Sequence, residues 1–389
     1  MKKTIEDVDV TGKRVLVRAD FNVPLEDGQI ADDARIRACL PTVEALLRRG
    51  ARVVLCSHLG RPKGEVREEL RLTPVARRLS ELLKRDVPLL EDCVGERVRE
   101  AVGRMADGEA VLLENTRFHP GEKENDPGFA SELASLAELF VNDAFGAAHR
   151  AHASTAGVAG HLPAVAGLLM QEELRRLSQV RDAAEPPFAA VMGGAKISDK
   201  IGVVKNLLDR LDLLLVGGGM ANTLLRVGGV ETGRSLVEEE QLETAARIAD
   251  RAGSRLVLPV DVVVAEDPRT GKGRQTVKVG SVPEDGMILD VGPDTLERFR
   301  RRLDGARTVV WNGPLGAFEH PPFDRGTVAL ARILADMNAE TIIGGGDTGA
   351  AVARAGVTDR VSHVSTGGGA FLSFIQGEKL PGLEALQDK

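Results

Sequence analysis

Tyrosine is absent from the sequence, and aromatic residues make up only 3% of its 389 residues. Because so few rings are present, we do not expect a nucleotide base to be bound by stacking on an aromatic side chain. An excess of positive charge is also absent, since the formal net charge is −7 at pH 7. Nucleic-acid-binding domains are usually strongly basic. The composition therefore argues against that class, and positive charge must act in local pockets.

Long apolar runs and cysteine motifs are absent as well. No segment approaches the ~20 apolar residues of a membrane helix, and no apolar run follows the lysines at the N-terminus, so we expect no signal peptide. The cysteines Cys39, Cys56 and Cys93 lack the spacing of a metal site, and Cys56 lies within the apolar run ARVVLCSH. Such thiols are typical of a reducing compartment, which predicts a cytoplasmic protein without a membrane segment.

Short apolar runs alternate with amphipathic stretches along most of the chain. This alternation predicts an α/β fold with parallel sheets that are covered by helices on both faces. The predicted strands are 14–19, 51–57, 110–113, 139–142, 188–192, 212–217, 307–311 and 340–343. The predicted helices are 35–49, 72–84, 130–138, 198–210, 237–251 and 325–336. Residues 260–279 instead predict a hairpin, with its turn near Thr270–Gly273, that adds an antiparallel edge.

A domain boundary is predicted near residues 168–188. The length suggests two or three domains, and the segment GLLMQEELRRLSQVRDAAE has helical spacing. It ends at Pro186–Pro187, which cannot continue a helix. We interpret this segment as a bridge between two lobes, although a surface helix within one domain would show the same pattern.

Glycine, with 43 residues, is abundant. Clusters follow apolar runs in the second half of the chain, at Gly193–Gly194, Gly217–Gly219, Gly344–Gly346 and Gly367–Gly369. Ligands of open parallel sheets bind beyond the carboxyl ends of the strands, where glycine allows backbone N–H groups to approach a phosphate. The clusters therefore predict a nucleotide site.

The kind of nucleotide site follows from the loop sequences. No G-x-x-x-x-G-K-[ST] motif is present, so the chain is not a P-loop enzyme. Residues 344–349 match G-x-G-x-x-G, but Asp347 in this loop would repel a pyrophosphate, and no acidic residue ends the next strand to bind a ribose. Asp347 is a better Mg²⁺ ligand. Lys196 and Lys200, four residues apart at a predicted helix start, would share one face and bind a polyphosphate.

The first half of the chain carries a different set of residues. Cationic side chains follow several apolar runs, which places them at strand ends that face one cleft. They are Arg18, Arg35, His58, Arg61, Arg117, His149, Arg150 and His152. Such a pocket suits a phosphate together with a carboxylate, because arginine matches the geometry of both. Asp20 and Asn22 would add acceptors for substrate hydroxyl groups.

The sequence resembles the phosphoglycerate kinase family over essentially its whole length. The segments VRADFNVPL, SHLGRPKG, LLENTRFH, NDAFGAAHRAHAS, GGAKISDK, GGGMANT, VVWNGPLGAFE and IIGGGDT occur in the family's order. The resemblance implies reversible transfer of a phosphoryl group from 1,3-bisphosphoglycerate to MgADP, which gives 3-phosphoglycerate and MgATP. It also implies a monomer with two similar-sized, Rossmann-like lobes that close around a hinge before direct in-line transfer.

The resemblance also implies an organisation and a set of roles. Residues 1–170 would bind phosphoglycerate, 171–187 would form the inter-domain helix and hinge, 188–375 would bind the nucleotide, and the tail 376–389 would pack on the first lobe. Arg35, Lys196 and Lys200 would be catalytic. The substrate would contact Asp20, Phe21, Asn22, Arg35, His58, Leu59, Gly60, Arg61, Arg117 and Arg150. The nucleotide would contact Lys196, Lys200, Gly217, Gly218, Gly219, Asn312, Glu319, Gly345, Gly346, Asp347 and Thr348, with magnesium at Asp347.

Two other classes remain open at this point. One is a nucleotide-dependent oxidoreductase that uses the 344–349 loop, although the acidic residue for the ribose is missing. The other is a non-catalytic two-lobe protein that binds phosphorylated acids, for which the paired lysines would be unnecessary. A coupled assay with 3-phosphoglycerate and MgATP distinguishes all three.

Overall fold

The computed structural model describes all 389 residues of the chain. The residues group into two compact units. The first unit contains Met1–Arg175 together with Lys379–Lys389, and the second contains Arg176–Glu378. No helix of the chain has both the length and the apolar character that crossing a membrane requires.

The first unit is built around a five-stranded parallel sheet with the strand order β5-β4-β1-β6-β7. Its strands are β1 (Arg14–Arg18), the hairpin strands β2 (Leu25–Glu26) and β3 (Gln29–Ile30), β4 (Arg52–Cys56), β5 (Ala110–Leu112), β6 (Leu139–Asn142) and β7 (Ala164–Ala166). Its helices are α1 (Ala34–Arg48), α2 (Thr73–Leu83), α3 (Glu96–Gly103), α4 (Pro120–Glu124), α5 (Pro127–Ala134) and the start of α6 (Leu168–Ala183).

Helix α1 shows why the sequence folds in this way. Its buried residues Ile36, Cys39, Val43 and Leu46 recur every three or four positions and form one apolar face. That face packs in the same core as Val15 of β1. The central strands are apolar almost without interruption because helices cover the sheet on both faces.

The second unit contains a six-stranded parallel sheet with the order β10-β9-β8-β14-β15-β16 and a separate antiparallel sheet with the order β12-β11-β13. Its strands are β8 (Phe188–Met192), β9 (Leu213–Val216), β10 (Leu256–Val257), β11 (Asp261–Ala265), β12 (Gln275–Lys278), β13 (Met287–Val291), β14 (Thr308–Asn312), β15 (Glu340–Gly344) and β16 (His363–Val364). Its helices are α7 (Ile201–Leu207), α8 (Gly218–Val227), α9 (Leu242–Ala252), α10 (Pro293–Leu303), α11 (Arg325–Ala335), α12 (Gly346–Arg354) and α13 (Gly369–Ile375).

The predicted α/β fold with helix-covered parallel sheets is confirmed, and all eight predicted strands are present with shifts of one residue or less at each end. The hairpin prediction was right about the pairing of β11 with β12 but wrong about its place. The two strands belong to the separate sheet completed by β13, not to an edge of the parallel sheet. The helix predicted for 237–251 begins only at Leu242, after a short 3₁₀ turn at Glu239–Gln241.

The chain end belongs to the first unit. The N–H of Lys3 donates to the carbonyl of Gln387 at 2.8 Å, and the N–H of Gln387 donates to Ala164 at 3.0 Å. Helix α14 (Pro381–Glu384) lies against the loop after β6, where the N–H of Gly382 donates to the carbonyl of Ala148 at 2.9 Å. The tail therefore supports the loop that carries Arg150.

Candidate active site

Three parallel strands bring polar segments to one edge of the first unit's sheet. Arg18, the last residue of β1, pairs in register with Cys56 of β4 and with Asn142 of β6. His58 follows two residues after Cys56, and Arg150 lies in the loop after β6. Because carboxyl ends of parallel strands share one edge, this is where the fold would place a ligand.

Arg18 and His58 form the buried centre of this edge, since they are 1% and 4% exposed. Nη2 of Arg18 donates to Nδ1 of His58 at 3.0 Å. Burial, reinforced by the charges of Arg18 and Arg117, holds the pKa of His58 well below its usual value. A guanidinium only donates hydrogen bonds, so Nδ1 accepts and Nε2 carries the ring proton.

Arg35, in the first turn of α1, joins two of the predicted substrate contacts. Its Nη1 donates to Oδ2 of Asp20 at 3.2 Å and to the carbonyl of Asn22 at 3.1 Å. Oδ1 of Asn22 in turn accepts from the N–H of Gly60 at 2.8 Å. One third of the Arg35 side chain is exposed. Arg35 therefore holds the loop of Asp20 and Asn22 in place and is still accessible to a ligand.

Arg117 is buried, and its hydrogen bonding is incomplete. Its Nη1 donates to the carbonyl of Gly60 at 2.8 Å, but its buried Nε has no partner. Burial, together with the charges of Arg150 and Arg18, lowers the pKa of Arg117 to about 10. A buried donor without an acceptor is costly. A bound anion would supply both the acceptor and the missing negative charge.

The remaining predicted residues of the first unit differ in accessibility. Arg61 and Arg150 are exposed, and Nε of Arg150 lies 3.0 Å from Nε2 of His149. Phe21 and Leu59 are instead packed in the hydrophobic core. These side chains complete the core, so any substrate contact at Phe21 or Leu59 would come from backbone atoms, and the contacts predicted for the two residues stay predictions.

Sequence reasoning assigned no role to three buried residues behind this edge. The sequence indicates Arg18 only as one cation of the pocket among several, and it assigns no role to Glu122 or Ser154. All three are at most 1% exposed and are linked by hydrogen bonds. Ser154 closes the HRAHAS segment, which was a usable signal, whereas no pattern distinguishes Glu122 from the surface glutamates around it.

In the second unit, loops that follow β8, β9, β14 and β15 enclose a cavity of about 410 Å³. Its lining includes Gly194, Gly218, Gly219, Gly316, Glu319 and Asp347. The cluster at Gly367–Gly369 is not part of this lining. The loop Pro314–Ala317, which follows β14 and is not one of the predicted glycine clusters, lines the cavity instead.

Lys196 and Lys200 follow β8, but the prediction that they share one helical face is wrong. A 3₁₀ turn at Ser198–Lys200 precedes α7, so Lys196 lies outside any helix. The chain is held there by Glu238, which accepts from the N–H and the hydroxyl of Ser198 at 2.9 and 2.6 Å. Lys196 is exposed, whereas Lys200 is 8% exposed. Burial lowers the pKa of Lys200, against the opposing charges of Asp199 and Asp347.

The glycines after β9 allow two loops to pack backbone against backbone. A Cβ at Gly218 would lie 2.7 Å from the carbonyl oxygen of Gly194, and one at Gly219 would lie 2.2 Å from that of Ala195. A Cβ at Gly217 would meet the side chain of Leu315 at 2.5 Å. These glycines thus shape the cavity by close packing.

Asn312 and Thr348 hold the β15 loop beside β14. Nδ2 of Asn312 donates to the carbonyl of Gly344 at 2.8 Å, and Oγ1 of Thr348 accepts from the N–H of Gly313 at 2.8 Å. Both side chains are buried, so they support the loop. Gly345 is the N-cap of α12 and Gly346 its first residue. The first N–H groups of that helix lack intrahelical partners and suit an anion.

Asp347, in the first turn of α12, and Glu319 are exposed carboxylates on the same cavity. No cluster of metal-binding side chains surrounds Asp347, because the one such group of three is Asp92, Cys93 and His119 in the first unit. Mg²⁺ commonly binds one or two carboxylates and takes its other ligands from phosphates and water. Asp347 therefore fits a magnesium ion that arrives with a nucleotide.

Comparison with known proteins identifies the family of the chain that carries these two sites. A family model described as phosphoglycerate kinase matches residues 5–378. The chain belongs to the phosphoglycerate kinase family. A phosphoglycerate kinase of Pelotomaculum thermopropionicum is 56% identical, with both chains covered completely. Two solved phosphoglycerate kinases have the same fold. That of Coxiella burnetii is 42% identical with a TM-score of 0.87, and that of Pyrococcus horikoshii is 36% identical with a TM-score of 0.88. Each alignment covers 99% of this chain and 98% of the other.

Membership of the phosphoglycerate kinase family settles the reaction class. The chain is an enzyme that reversibly transfers the 1-phosphoryl group of 1,3-bisphosphoglycerate to ADP. The G-x-G-x-x-G match at residues 344–349 therefore does not indicate an oxidoreductase. A purely binding role is excluded by the same finding.

Proposed function

We propose that the first unit binds the phosphoglycerate and the second unit binds the magnesium nucleotide. In this proposal residues 1–170 with the tail 376–389 form the phosphoglycerate-binding domain, and residues 188–375 form the nucleotide-binding domain. The observation that carries the proposal is the buried Nε of Arg117, which has no partner and lies in a cluster of cationic side chains. Such a donor indicates an anion site.

The non-transferring phosphate would be held by four donors, namely His58, Arg61, Arg117 and Arg150. His58 would contribute its Nε2–H, since Nδ1 already accepts from Arg18. Asp20 and Asn22 would contact the glycerate, and Gly60 would line the pocket between them. The Phe21 and Leu59 segments contribute only their backbone to this arrangement, because both side chains lie in the core.

The nucleotide would lie in the 410 Å³ cavity of the second unit. Its phosphates would be met by Lys196, by Lys200 and by the helix start at Gly345–Gly346. Magnesium, held by Asp347, would neutralise phosphate charge when bound. Glu319 would bind the ribose, and Gly217–Gly219 would border the adenine. Asn312 and Thr348 would keep the phosphate loop in place.

Transfer would be direct and in line, with charge stabilisation as the main contribution of the protein. Arg35, Lys196 and Lys200 would face the transferring group. No side chain has to act as a general base, because the acceptor is a phosphate in one direction and a carboxylate in the other. Both are already ionised near neutral pH, so removing a proton would contribute little.

The cationic groups of this step are divided between the units, with Arg35 in the first and Lys200 in the second. We therefore propose that catalysis requires domain closure about a hinge within 171–187, which also excludes water from the acyl phosphate. Small-angle scattering with both substrates should show a smaller radius of gyration than with either one alone. An unchanged radius would contradict closure.

The proposed division of labour is tested by steady-state kinetics in a coupled assay with 3-phosphoglycerate and MgATP. Arg117→Ala should raise KM for 3-phosphoglycerate and leave KM for MgATP unchanged. Lys200→Ala should do the reverse. If each variant changed both constants equally, the two sites would not be separate as proposed.

We further propose that the enzyme is a cytoplasmic monomer. All three cysteines are free and buried, which is typical of proteins from a reducing compartment. Light scattering coupled to size-exclusion chromatography should return the mass of one 41.5 kDa chain. A mass of two chains or more would contradict the proposed state.

A further inference from the structure

Glu122, in α4, is completely buried behind the cationic edge of the first unit. Its Oε1 accepts the hydroxyl of Ser154 at 2.6 Å, and its Oε2 accepts the N–H of Ser154 at 3.0 Å. Nδ1 of His152 lies 3.8 Å from Oε1. A buried carboxylate needs such partners to offset its loss of hydration, and here every partner comes from the HRAHAS segment.

Ser154 connects Glu122 to Arg18. Nε of Arg18 donates to Oγ of Ser154 at 2.7 Å. Because Nε of an arginine never accepts, the hydroxyl accepts here and must direct its own proton to Glu122. At its other end Arg18 donates to Nδ1 of His58. In the series of hydrogen bonds from Glu122 to His58, the donor and the acceptor of each bond are therefore fixed.

The charge of Glu122 also balances the cluster. Arg18, Arg117 and Arg150 repel one another, and after burial this repulsion is the main reason for the lowered pKa of Arg117. Glu122 acts in the opposite sense, since its charge raises the pKa of both Arg117 and His152. Burial still keeps the pKa of His152 at about 4. The negative charge of Glu122 thus offsets part of the repulsion among the arginines, while both of its oxygens accept hydrogen bonds from Ser154.

The chain offers a matched comparison. Glu114 is also a buried carboxylate of the first unit, at 2% exposure. It accepts from Nη1 of Arg71 at 3.1 Å and from the N–H of Leu72 at 2.9 Å. It also accepts from the N–H of Asn115 at 2.8 Å. None of its bonds involves Arg18 or Ser154, so Glu114 has the burial of Glu122 without a hydrogen bond to the side chains that Glu122 holds.

We propose that Glu122 is a positioning residue for phosphoglycerate binding, which orients Arg18 through Ser154 and so fixes the Nε2–H donor of His58. This inference rests on the proposed function of the first unit. Glu122 itself does not touch the substrate. It sets the geometry and the charge balance of the side chains that do.

Isothermal titration calorimetry with 3-phosphoglycerate tests this role. Glu122→Gln preserves the shape but removes the charge, and one of the two hydrogen bonds from Ser154 loses its acceptor. We expect the affinity to fall by about 10- to 100-fold, the effect of losing a charge-assisted hydrogen bond. KM for MgATP should stay unchanged. Glu122→Asp, which keeps the charge, should recover part of the affinity.

Two further variants separate positioning from folding. Ser154→Ala leaves the buried charge but breaks the connection to Arg18, and it should also weaken 3-phosphoglycerate binding. Glu114→Gln should lower the melting temperature without changing the affinity. Wild-type affinity in both Glu122→Gln and Ser154→Ala would overturn the inference, whatever their melting temperatures. Equal affinity of the wild type and Arg117→Ala would overturn the proposed pocket, and this inference with it.

Discussion

Nη2 of Arg18 lies 3.0 Å from Nδ1 of His58, and both side chains are almost completely buried. A guanidinium cannot accept a hydrogen bond, so this contact requires a neutral His58 that carries its proton on Nε2. The proposed phosphate would then meet an N–H donor of fixed direction. The positive charge needed for binding comes from the arginines of the pocket.

Nuclear magnetic resonance can test the state of His58 in the free enzyme. We expect His58 to remain the neutral Nε2–H tautomer across the pH range in which a free imidazole takes up its proton, because burial holds its pKa well below the usual value. His119 provides the contrast, because its hydrogen bond with Asp92, at 2.6 Å, raises its pKa above the usual value. Long-range ¹H–¹⁵N spectra report both rings. A His58 signal that titrates near pH 6.5 would contradict the assignment.

Arg35→Ala should lower kcat by at least ~100-fold, as expected when a strong electrostatic stabiliser of the transition state is lost. The fold should tolerate the change, since one third of the side chain is exposed and its bond to Asp20 is partly open to solvent. Arg37→Ala is the control, because Arg37 lies on the same helix but forms an exposed pair with Asp33. Near-normal turnover by Arg35→Ala would contradict the role proposed for it.

The fold was predictable from sequence for those strands that are buried on both faces of a sheet. Strands such as β1 and β14 have continuous apolar centres, VLV and VVW, because both faces of their sheet are covered, and their bounds agree with the prediction to within one residue. The strand β13, by contrast, was missed. Its sequence, MILDV, is half-buried and interrupted by Asp290, and its pairing with β11 depends on contacts that no local pattern encodes.

The candidate site was predictable in its residue types but not in its buried layer. Arg117 and His58 follow apolar runs, and that position alone indicates a strand end. Glu122 gives no such signal, since its burial depends on Ser154, 32 residues further along the chain. The error at Lys196 has a similar origin, because Glu238, a distant residue, holds the loop that delays the start of α7.

Asp143 should make stability depend on pH. Its buried Oδ1 accepts from the N–H groups of Leu169 and Met170 at the start of α6, at 3.0 and 3.2 Å, while Oδ2 has no partner. Burial raises the pKa of Asp143 from 3.8 to about 6. The folded protein thus binds this proton more tightly than the unfolded chain. Its contribution is complete below pH 3.8 and is lost as the pH rises through about 6.

Asp143→Asn carries no titrating group at this position and therefore isolates the effect. Between pH 4.5 and pH 7 the free energy of unfolding of the wild type should fall by about 2 kcal/mol relative to the variant. Urea unfolding of both proteins at the two pH values provides the measurement. A difference between the proteins that does not change with pH would show that Asp143 is ionised throughout.

Gly218→Ala should destabilise the protein by more than the cost of placing an alanine at a positive φ, because the added Cβ also clashes with the wall of the nucleotide cavity. Gly218 has a φ of +63°, and a Cβ there would lie 2.7 Å from the carbonyl oxygen of Gly194. Gly229 has a φ of +76° with nothing near the added atom, so Gly229→Ala measures the conformational cost by itself, about 1 kcal/mol. Gly218→Ala adds a clash with backbone that cannot move without shifting the loop of Lys196 and Lys200.

We therefore expect a clearly larger loss of stability by urea unfolding, together with a raised KM for MgATP that Gly229→Ala does not share. Equal losses in the two variants would mean that the loops tolerate the extra atom, and that close packing at Gly218 does not shape the cavity.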